Sequence, residues 1–327
     1  MVTEELVSVQ DGSNRHKHSR SLASWLQTYG VYLAVLVLLL FNLFFTDNFL
    51  SAANFRTQLV QAAPVCIVAL GMALVIGTEG IDLSVGSVMS VAAALVPLYL
   101  GAGPVTAVLV AVIAGVVSGL FSGFLVARLG IQPIIATLAL LVGGRGLALV
   151  IAHGQLVELH NQDFLALGTG EVAGIPVMVL VAAVLAALAG LLVRRTTFGR
   201  HLVAVGGNRP AATLAGLPVK RVLMGVYVIS GALAANAGVL STARLGASDP
   251  NDLGLLMELS AITAVVVGGT PLTGGRVRVL GTVFGALLMQ LVHATLIKHN
   301  LPDSAAQMVQ AAIIVAAVYV ARERSSR

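Results

Sequence analysis

The sequence predicts an all-α membrane protein with about ten transmembrane helices and both termini in the cytoplasm. Three observations lead to this fold class: an apolar composition, a division into apolar segments, and the placement of basic residues. Of 327 residues, 57% are hydrophobic and 10% are charged, and the mean hydropathy is +0.96. Because average globular domains carry about 25% charged residues, this composition excludes a sizeable soluble domain.

Most of the apolar segments are long enough to cross about 30 Å of hydrocarbon as a helix. We place the predicted spans at residues 29–46, 59–77, 83–100, 104–127, 133–152, 175–193, 222–243, 258–271, 278–297 and 304–321.

The basic residues set the orientation of these spans. About 15 of the 19 Lys and Arg residues fall in every second gap between the segments, which is the pattern of the positive-inside rule. Only Arg56, Arg244 and Lys298 fall in gaps on the other side. The opposite orientation would translocate nearly all of the basic charge, so the N-terminus and the C-terminus are both predicted to lie inside.

This orientation divides the chain into a cytoplasmic tail (1–28), a single transmembrane domain (29–321) and a second cytoplasmic tail (322–327). The first apolar run is too long and begins too late for an ordinary signal peptide, so we expect an uncleaved first helix. The pI is near 9.8, but the basic residues are spread over cytoplasmic loops and are not grouped with aromatic residues. We therefore expect contact with anionic membrane lipid and no binding of nucleic acid.

The first irregular segment, GTEGIDLSVGSV at 77–88, carries Glu79 and Asp82 among glycines. Charges near membrane depth are costly, and backbone broken by glycine there lines a cavity or a protein interface, because lipid cannot satisfy its freed polar groups. The alternative is a short cytoplasmic turn in which Asp82 caps the third helix by accepting an amide hydrogen bond. Both interpretations can hold together.

The second irregular segment, GGTPLTGGRVR at 268–278, follows a span that is short for a membrane crossing. Its glycines and basic end predict a tight connection between two helices. A phosphate-binding P-loop is excluded, because the string G-x-x-x-x-G-K-[ST] does not occur in this sequence.

The longest cytoplasmic connection, residues 196–221, is predicted to contain a short helix. Pro210 suits the first turn of a helix, and Gly216 followed by Pro218 suits its end. The expected helix has about two turns near Pro210 to Ala215. Because such a helix has no role in spanning the membrane, we expect it to dock a partner, with a purely structural loop as the alternative.

Two outer connections, residues 153–174 and 246–254, are acidic and either dock an extracytoplasmic partner or are simply solvated. Polar residues within spans tend to face the bundle interior, where amides and hydroxyls suit a neutral polyhydroxylated solute, although interhelical hydrogen bonding is the commoner role of a single Gln. We expect Arg145 to pair with a carboxylate such as Glu79 or Asp82. The candidate residues for the pathway or its gating are Gln61, Glu79, Asp82, Ser84, Arg145, Asn236, Glu258 and Gln290.

Three ordered segments carry a resemblance to a known family. The segment GMALVIGTEGIDLSVGSVMS at 71–90 resembles the signature of the ribose-type permeases of bacterial ABC sugar importers, whose usual form is Gly-Gly-Ile-Asp-Leu-Ser-Val-Gly. The segments at 206–221 and 258–288 are also similar to that family, and together the matches cover most of residues 60–320. Residues 131–155 are similar to the galactofuranose-type subgroup. One departure is Glu79, where the family commonly has Gly.

The resemblance implies the fold of type II ABC importers and a location in the bacterial inner membrane. It also implies a second permease subunit, identical or related, two cytoplasmic ATPase subunits, an extracytoplasmic sugar-binding protein and a monosaccharide substrate. ATP and Mg²⁺ would bind to the ATPase, and this chain would bind no cofactor and catalyse no reaction. Within the implied coupling loop, 194–221, the residues expected to meet the ATPase are Gly206, Gly207, Asn208, Pro210, Ala211, Ala212, Leu214, Ala215 and Gly216.

Two other functions stay open on the sequence. A secondary transporter would use an ion gradient, and two matched broken segments are typical of that class, but it would have no need to order the 196–221 connection. A membrane enzyme acting on lipid would need a cluster of acids, bases or metal ligands at one interface, and the sequence indicates none.

Overall fold

The computed structural model describes residues 15–46 and 49–322 of the chain. Within them, most residues lie in helices, which confirms the predicted all-α class. The helices are α1 (Arg15–Phe45), α2 (Ala52–Gly77), α3 (Val85–Tyr99), α4 (Pro104–Ala127), α5 (Pro133–Ile151), α6 (Gln162–Thr169), α7 (Val177–Arg195), α8 (Thr197–Gly207), α9 (Arg209–Leu214), α10 (Val219–Leu245), α11 (Met257–Val267), α12 (Val279–Lys298) and α13 (Asp303–Arg322).

Each of the ten predicted spans coincides with one of these helices, although the number of membrane crossings stays a prediction. Over the described residues, seven helices are long and apolar enough to cross a membrane: α2, α3 with its following turn, α4, α5, α7, α10 and α12. The apolar part of α1, Gly30–Phe45, and all of α11 are shorter. Helix α1 begins at Arg15, inside the predicted tail 1–28. The rest of that tail, 1–14, and residues 323–327 of the C-terminal tail lie outside the described residues.

Helix α2 begins seven residues before the predicted span, because its first turns are polar but still helical. Ser51 caps the helix through its hydroxyl oxygen, which accepts a hydrogen bond from the Asn54 amide at 3.2 Å. Hydropathy identifies only the part of a helix that is apolar, so the polar outer turns of α2 lay outside the predicted span.

Helices α2 and α10 form the centre of the bundle, and α10 packs against α2, α3 and α4. The contact between α4 and α10 is made by small residues. A Cβ atom on Gly115 would overlap the Gly231 carbonyl oxygen, and one on Gly119 would overlap the Tyr227 carbonyl oxygen. The two backbones therefore approach as closely as helices in a membrane allow.

The two ends of the bundle differ in structure, and we name them inner and outer after the predicted orientation. The inner end carries α8 and α9. The outer end carries α6 and four two-residue strands: β1 (Val157–Glu158), β2 (Glu171–Val172), β3 (Ile175–Pro176) and β4 (Ala247–Ser248). Strand β1 pairs with β4, and β2 pairs with β3, both antiparallel.

The outer segment 249–256 enters the bundle beside α3 and α5, which explains the shortness of α11. The Ser90 hydroxyl on α3 donates a hydrogen bond to the Leu253 carbonyl oxygen at 2.5 Å. A Cβ atom on Gly86, also on α3, would overlap the Gly254 carbonyl oxygen. Irregular backbone is tolerated at this depth because protein groups satisfy its polar atoms.

Candidate functional site

The turn between α2 and α3 holds a buried carboxylate whose partners are hydroxyl and amide groups. One Asp82 oxygen accepts hydrogen bonds from the Ser84 amide at 3.0 Å and from the Ser84 hydroxyl at 2.6 Å. The other accepts a hydrogen bond from the Ser230 hydroxyl on α10 at 2.7 Å. Burial raises the pKa of the Asp82 carboxyl, and the hydrogen bonds from Ser84 and Ser230 oppose that rise. The carboxylate therefore ties the turn to the central helix.

The turn combines features of both interpretations, the capping turn and the glycine-broken segment that lines a protein interface. Asp82 does accept an amide hydrogen bond just before α3, although the residue at the helix boundary is Ser84. The turn also meets other protein segments on its buried side, as expected of glycine-broken backbone near membrane depth.

Two residues of this site were missed by the sequence analysis, Ser230 and Tyr227. They lie three positions apart on α10, so both face the turn. The Tyr227 hydroxyl is buried without a hydrogen-bond partner within the described chain, and a Cβ atom on Gly80 would come within 2.9 Å of it. The signal was a pair of hydroxyl residues three positions apart on one face of a predicted span.

Glu79 lies on the exposed side of the same turn, in the left-handed region with φ of 65°. Glycine adopts this conformation readily, whereas other L-residues pay a steric penalty there. The family's usual Gly at this position therefore fits the backbone, and Glu79 places a solvated carboxylate on a turn built for glycine.

Three glycine-rich segments meet behind this turn, and we call their contact the glycine junction, formed by Gly77, Gly206 and Gly275. The Gly275 amide donates a hydrogen bond to the Gly77 carbonyl oxygen at 3.0 Å. A Cβ atom on Gly206 would overlap that same carbonyl oxygen. The junction thus joins the end of α2, the end of α8 and the 268–278 connection.

The 196–221 connection contains two helices, of which the sequence analysis predicted one. The predicted helix is confirmed as α9: Pro210 lies in its first turn, and the Asn208 side chain accepts a hydrogen bond from the Ala211 amide at 2.9 Å. Gly216, with φ of 75°, ends the segment. Helix α8 was not predicted, and it is capped by the Thr196 hydroxyl, which accepts from the Gly199 amide at 3.2 Å.

Helix α9 buries a single side chain and exposes most of the others. Ala212 is buried, whereas Pro210, Ala211 and Ala215 are exposed, and Leu214 is 90% exposed. Leu214 is thus a large apolar side chain on a short, capped helix directly after the glycine junction. Gly207 and Asn208 are exposed beside it.

The expected pairing of Arg145 with Glu79 or Asp82 is wrong. The Arg145 guanidinium donates hydrogen bonds to the carbonyl oxygens of Pro250 at 3.2 Å, Asn251 at 3.1 Å and Leu253 at 3.2 Å. These oxygens belong to the outer segment that enters the bundle, whose freed carbonyls need donors. Arg145 therefore satisfies backbone at the outer end, while Asp82 is satisfied by hydroxyls near the inner end.

The remaining pathway candidates fall into separate places. The Gln290 amide on α12 donates to the side-chain oxygens of Gln61 at 2.7 Å and Gln58 at 3.1 Å, which links α12 to the outer part of α2. Glu258 lies against Gly86, within the electrostatic reach of Arg145. Side-chain oxygens of Glu258 and Asn236 are buried without hydrogen-bond partners in the described chain.

The structure therefore brings Asp82 and Ser84 together, Gln61 and Gln290 together, and Arg145 near Glu258. No hydrogen bond within the described chain joins these three groups, although Glu258 lies against Gly86, two residues after Ser84. Their positions range from the turn at the inner end of α3 to the outer parts of α2 and α5.

The chain matches one protein family over most of its length. Residues 54–318 match the family described as the permease component of the branched-chain amino acid transport system. The chain belongs to this family of transport permeases.

Several curated proteins are similar over most of their length. The chain is 41% identical to the galactofuranose transporter permease protein of Escherichia coli K12, over 81% of this chain and 78% of the relative. It is 37% identical to the ribose import permease protein of Bacillus subtilis, over 92% and 94% respectively. It is also 37% identical to the fructose import permease protein of Bifidobacterium longum, over 79% and 74%.

No solved structure matches the chain. Its family and the seven apolar helices of membrane-spanning length among the described residues together identify it as a multi-pass protein of the inner membrane. Its relatives are permease components of transport systems rather than enzymes.

Proposed function

We propose that this chain is the membrane-spanning permease subunit of an ATP-binding cassette importer for a monosaccharide. Family membership and relatives named as permeases for galactofuranose, ribose and fructose support this function. In this role the chain forms the path for the sugar, and a separate ATPase subunit supplies the energy. ATP and Mg²⁺ bind to that ATPase and not to this chain.

The exposure of α9 directly beside the glycine junction is the main support for coupling to an ATPase. Leu214 is 90% exposed. Removal of a large apolar side chain from water by a partner is favourable and would stabilise the complex. The ATPase docks on the face of α9 that carries Leu214, Ala211 and Ala215, with Gly207 and Asn208 at its edge. Pro210 and Gly216 set the two ends of this docking element.

The connection from α9 to the transport path runs through backbone. Gly206, in the last turn of α8, lies against the Gly77 carbonyl, and Gly77 precedes the turn that holds Asp82. Movement of α9 is passed to the ends of α2 and α3 because the glycine junction leaves no space for independent movement. Alternating access in transporters uses rigid-body motion of this kind.

The further subunits follow from the same function. A second permease, identical or related, completes the path, two ATPase subunits bind the inner end, and a sugar-binding protein delivers the substrate at the outer end. The acidic outer connections, 153–174 and 246–254, offer the surface for that delivery.

The direct test is reconstitution of the chain in proteoliposomes with its neighbouring ATPase and a candidate binding protein, against a panel of pentoses and hexoses. We expect ATPase activity to rise when the binding protein carries one sugar of the panel. That sugar should move across the membrane from the side of the binding protein to the side of the ATPase. Sugar movement without ATPase, driven by an imposed proton or sodium gradient, would establish a secondary transporter instead.

A further inference from the structure

The inner end carries an open groove that lies outside the proposed docking face of α9. It has a volume of about 680 Å³ and lies between the end of α4, helix α9 and the start of α10. Its basic lining residues are Arg128, Arg209, Lys220 and Arg221.

No carboxylate neutralises this groove within the described chain. The lining contains neither Asp nor Glu, and the sequence has no acidic residue between Glu171 and Asp249, which includes all of α9 and α10. None of the four basic side chains forms an ion pair with a described carboxylate. Four cations that line one groove repel one another, so an anionic occupant would be stabilised there.

The position of the groove indicates what that occupant is. Helices α4 and α10 are both candidate membrane spans, and the groove lies where α4 ends and α10 begins. Apolar side chains, including Val126, Leu217 and Leu223, line it beside the basic ones. A site with cations at the edge of the membrane and apolar walls below them matches a phospholipid, which is anionic at its headgroup and apolar in its chains.

The groove is also distinct from the surface proposed for the ATPase. Arg209 and Thr213, four positions apart on α9, line it. Leu214 does not line it and is 90% exposed. One short helix thus presents separate faces to the membrane edge and to the cytoplasm.

We propose that this groove binds an anionic phospholipid of the inner leaflet, with the headgroup phosphate held by Arg128, Arg209, Lys220 and Arg221. The acyl chains lie along the ends of α4 and α10. The bound lipid contacts α9 directly and holds it in position. Lipid binding itself does not depend on the proposed transport function, whereas an effect of the lipid on coupling does.

Native mass spectrometry of the full-length chain, released from nanodiscs with equal amounts of phosphatidylglycerol and phosphatidylcholine, tests the proposal. We expect retention of phosphatidylglycerol over phosphatidylcholine by roughly tenfold. The double variant Arg128→Gln with Arg221→Gln removes most of that preference. The matched control, Arg194→Gln with Arg195→Gln, removes the same charge from exposed positions in the last turn of α7 and retains it.

Equal loss of preference in both double variants would overturn the proposal, because it would indicate general attraction to the membrane surface. Displacement of the lipid by excess inorganic phosphate would identify a site for free phosphate instead. A groove variant that keeps its lipid but no longer co-purifies with the ATPase would identify a protein contact. Should the double variant fail to fold, Lys220→Gln alone tests the same point, with an expected loss of about fivefold. These readouts need neither sugar nor ATP hydrolysis, so failure of the transport proposal would leave them interpretable.

Discussion

The inner end of the bundle has a buried side and an exposed side, built from the same short segments. On the buried side, Gly206 contacts the backbone at Gly77, and Asp82 accepts hydrogen bonds from Ser84 and Ser230. On the exposed side, neighbours of these residues along the chain face water, among them Glu79 and Gly207.

The two sides therefore have different roles: the buried side holds the segments together, and the exposed side is available to partners. Buried glycines and the Asp82 carboxylate fix how the segments fit together, so substitution there should change folding. Exposed residues of the same segments touch little of the chain itself, so substitution there should leave the fold intact and affect only what docks. Adjacent residues, such as Gly206 and Gly207, therefore give opposite expectations that can be tested as pairs.

The largest effect is expected from Gly206→Leu. The new side chain would overlap the Gly77 carbonyl oxygen, and backbone held on both sides cannot move aside. We expect a loss of more than about 3 kcal/mol in the free energy of unfolding, with little monodisperse protein recovered in detergent. Gly207→Leu is the matched control, since its Cβ would have only the Gly275 Cα nearby, at 4.0 Å. Equal recovery of the two variants would contradict the assignment of Gly206 to a buried side that fixes the fold and of Gly207 to an exposed side.

A smaller loss is expected from Asp82→Ala, which removes the acceptor of three hydrogen bonds and leaves the Ser230 hydroxyl without it. Hydrogen bonds to charged groups contribute about 1.5–3 kcal/mol each, and burial of the carboxylate offsets part of that, so the expected loss is about 2–3 kcal/mol. Thermal unfolding in detergent measures it. Ser230→Ala removes only one of these bonds and should cost about 1 kcal/mol. A stabilised Asp82→Ala variant would show that the buried carboxylate does not hold the turn.

The smallest effect is expected from Glu79→Gly, on the exposed side of the same turn. Glycine removes the steric penalty of the left-handed conformation, and its greater freedom in the unfolded chain offsets part of this gain. We expect a rise of about 0.5 kcal/mol in the free energy of unfolding and unchanged uptake. Glu79→Val, which is branched at Cβ, should lower stability by about 1 kcal/mol. Loss of uptake in the glycine variant would give the carboxylate a direct role in transport.

The sequence was informative wherever the signal was local. Helix α9 could be predicted because Pro210 and Gly216 determine its ends within a few residues. Glu79 could be recognised as a departure because the family signature commonly has Gly at this position.

What could not be predicted depends on contacts between distant segments. The partners of Arg145 are three backbone carbonyls about a hundred residues away, and nothing near Arg145 indicates them. Ser230 resembles any small polar residue of a packed span until the fold brings it to Asp82. Helix α8 was missed because it is only 11 residues long and has a glycine in its first turn and two at its end.

We propose that the exposed face of α9 transmits conformational changes of the ATPase to the bundle, and the double variant Leu214→Asp with Ala215→Asp tests this coupling. Sugar uptake and ATP hydrolysis would be measured together in proteoliposomes with the ATPase and loaded binding protein, after confirming that the melting temperature is unchanged. We expect uptake to fall at least tenfold and the binding protein no longer to stimulate hydrolysis. Full uptake by this folded variant would contradict it.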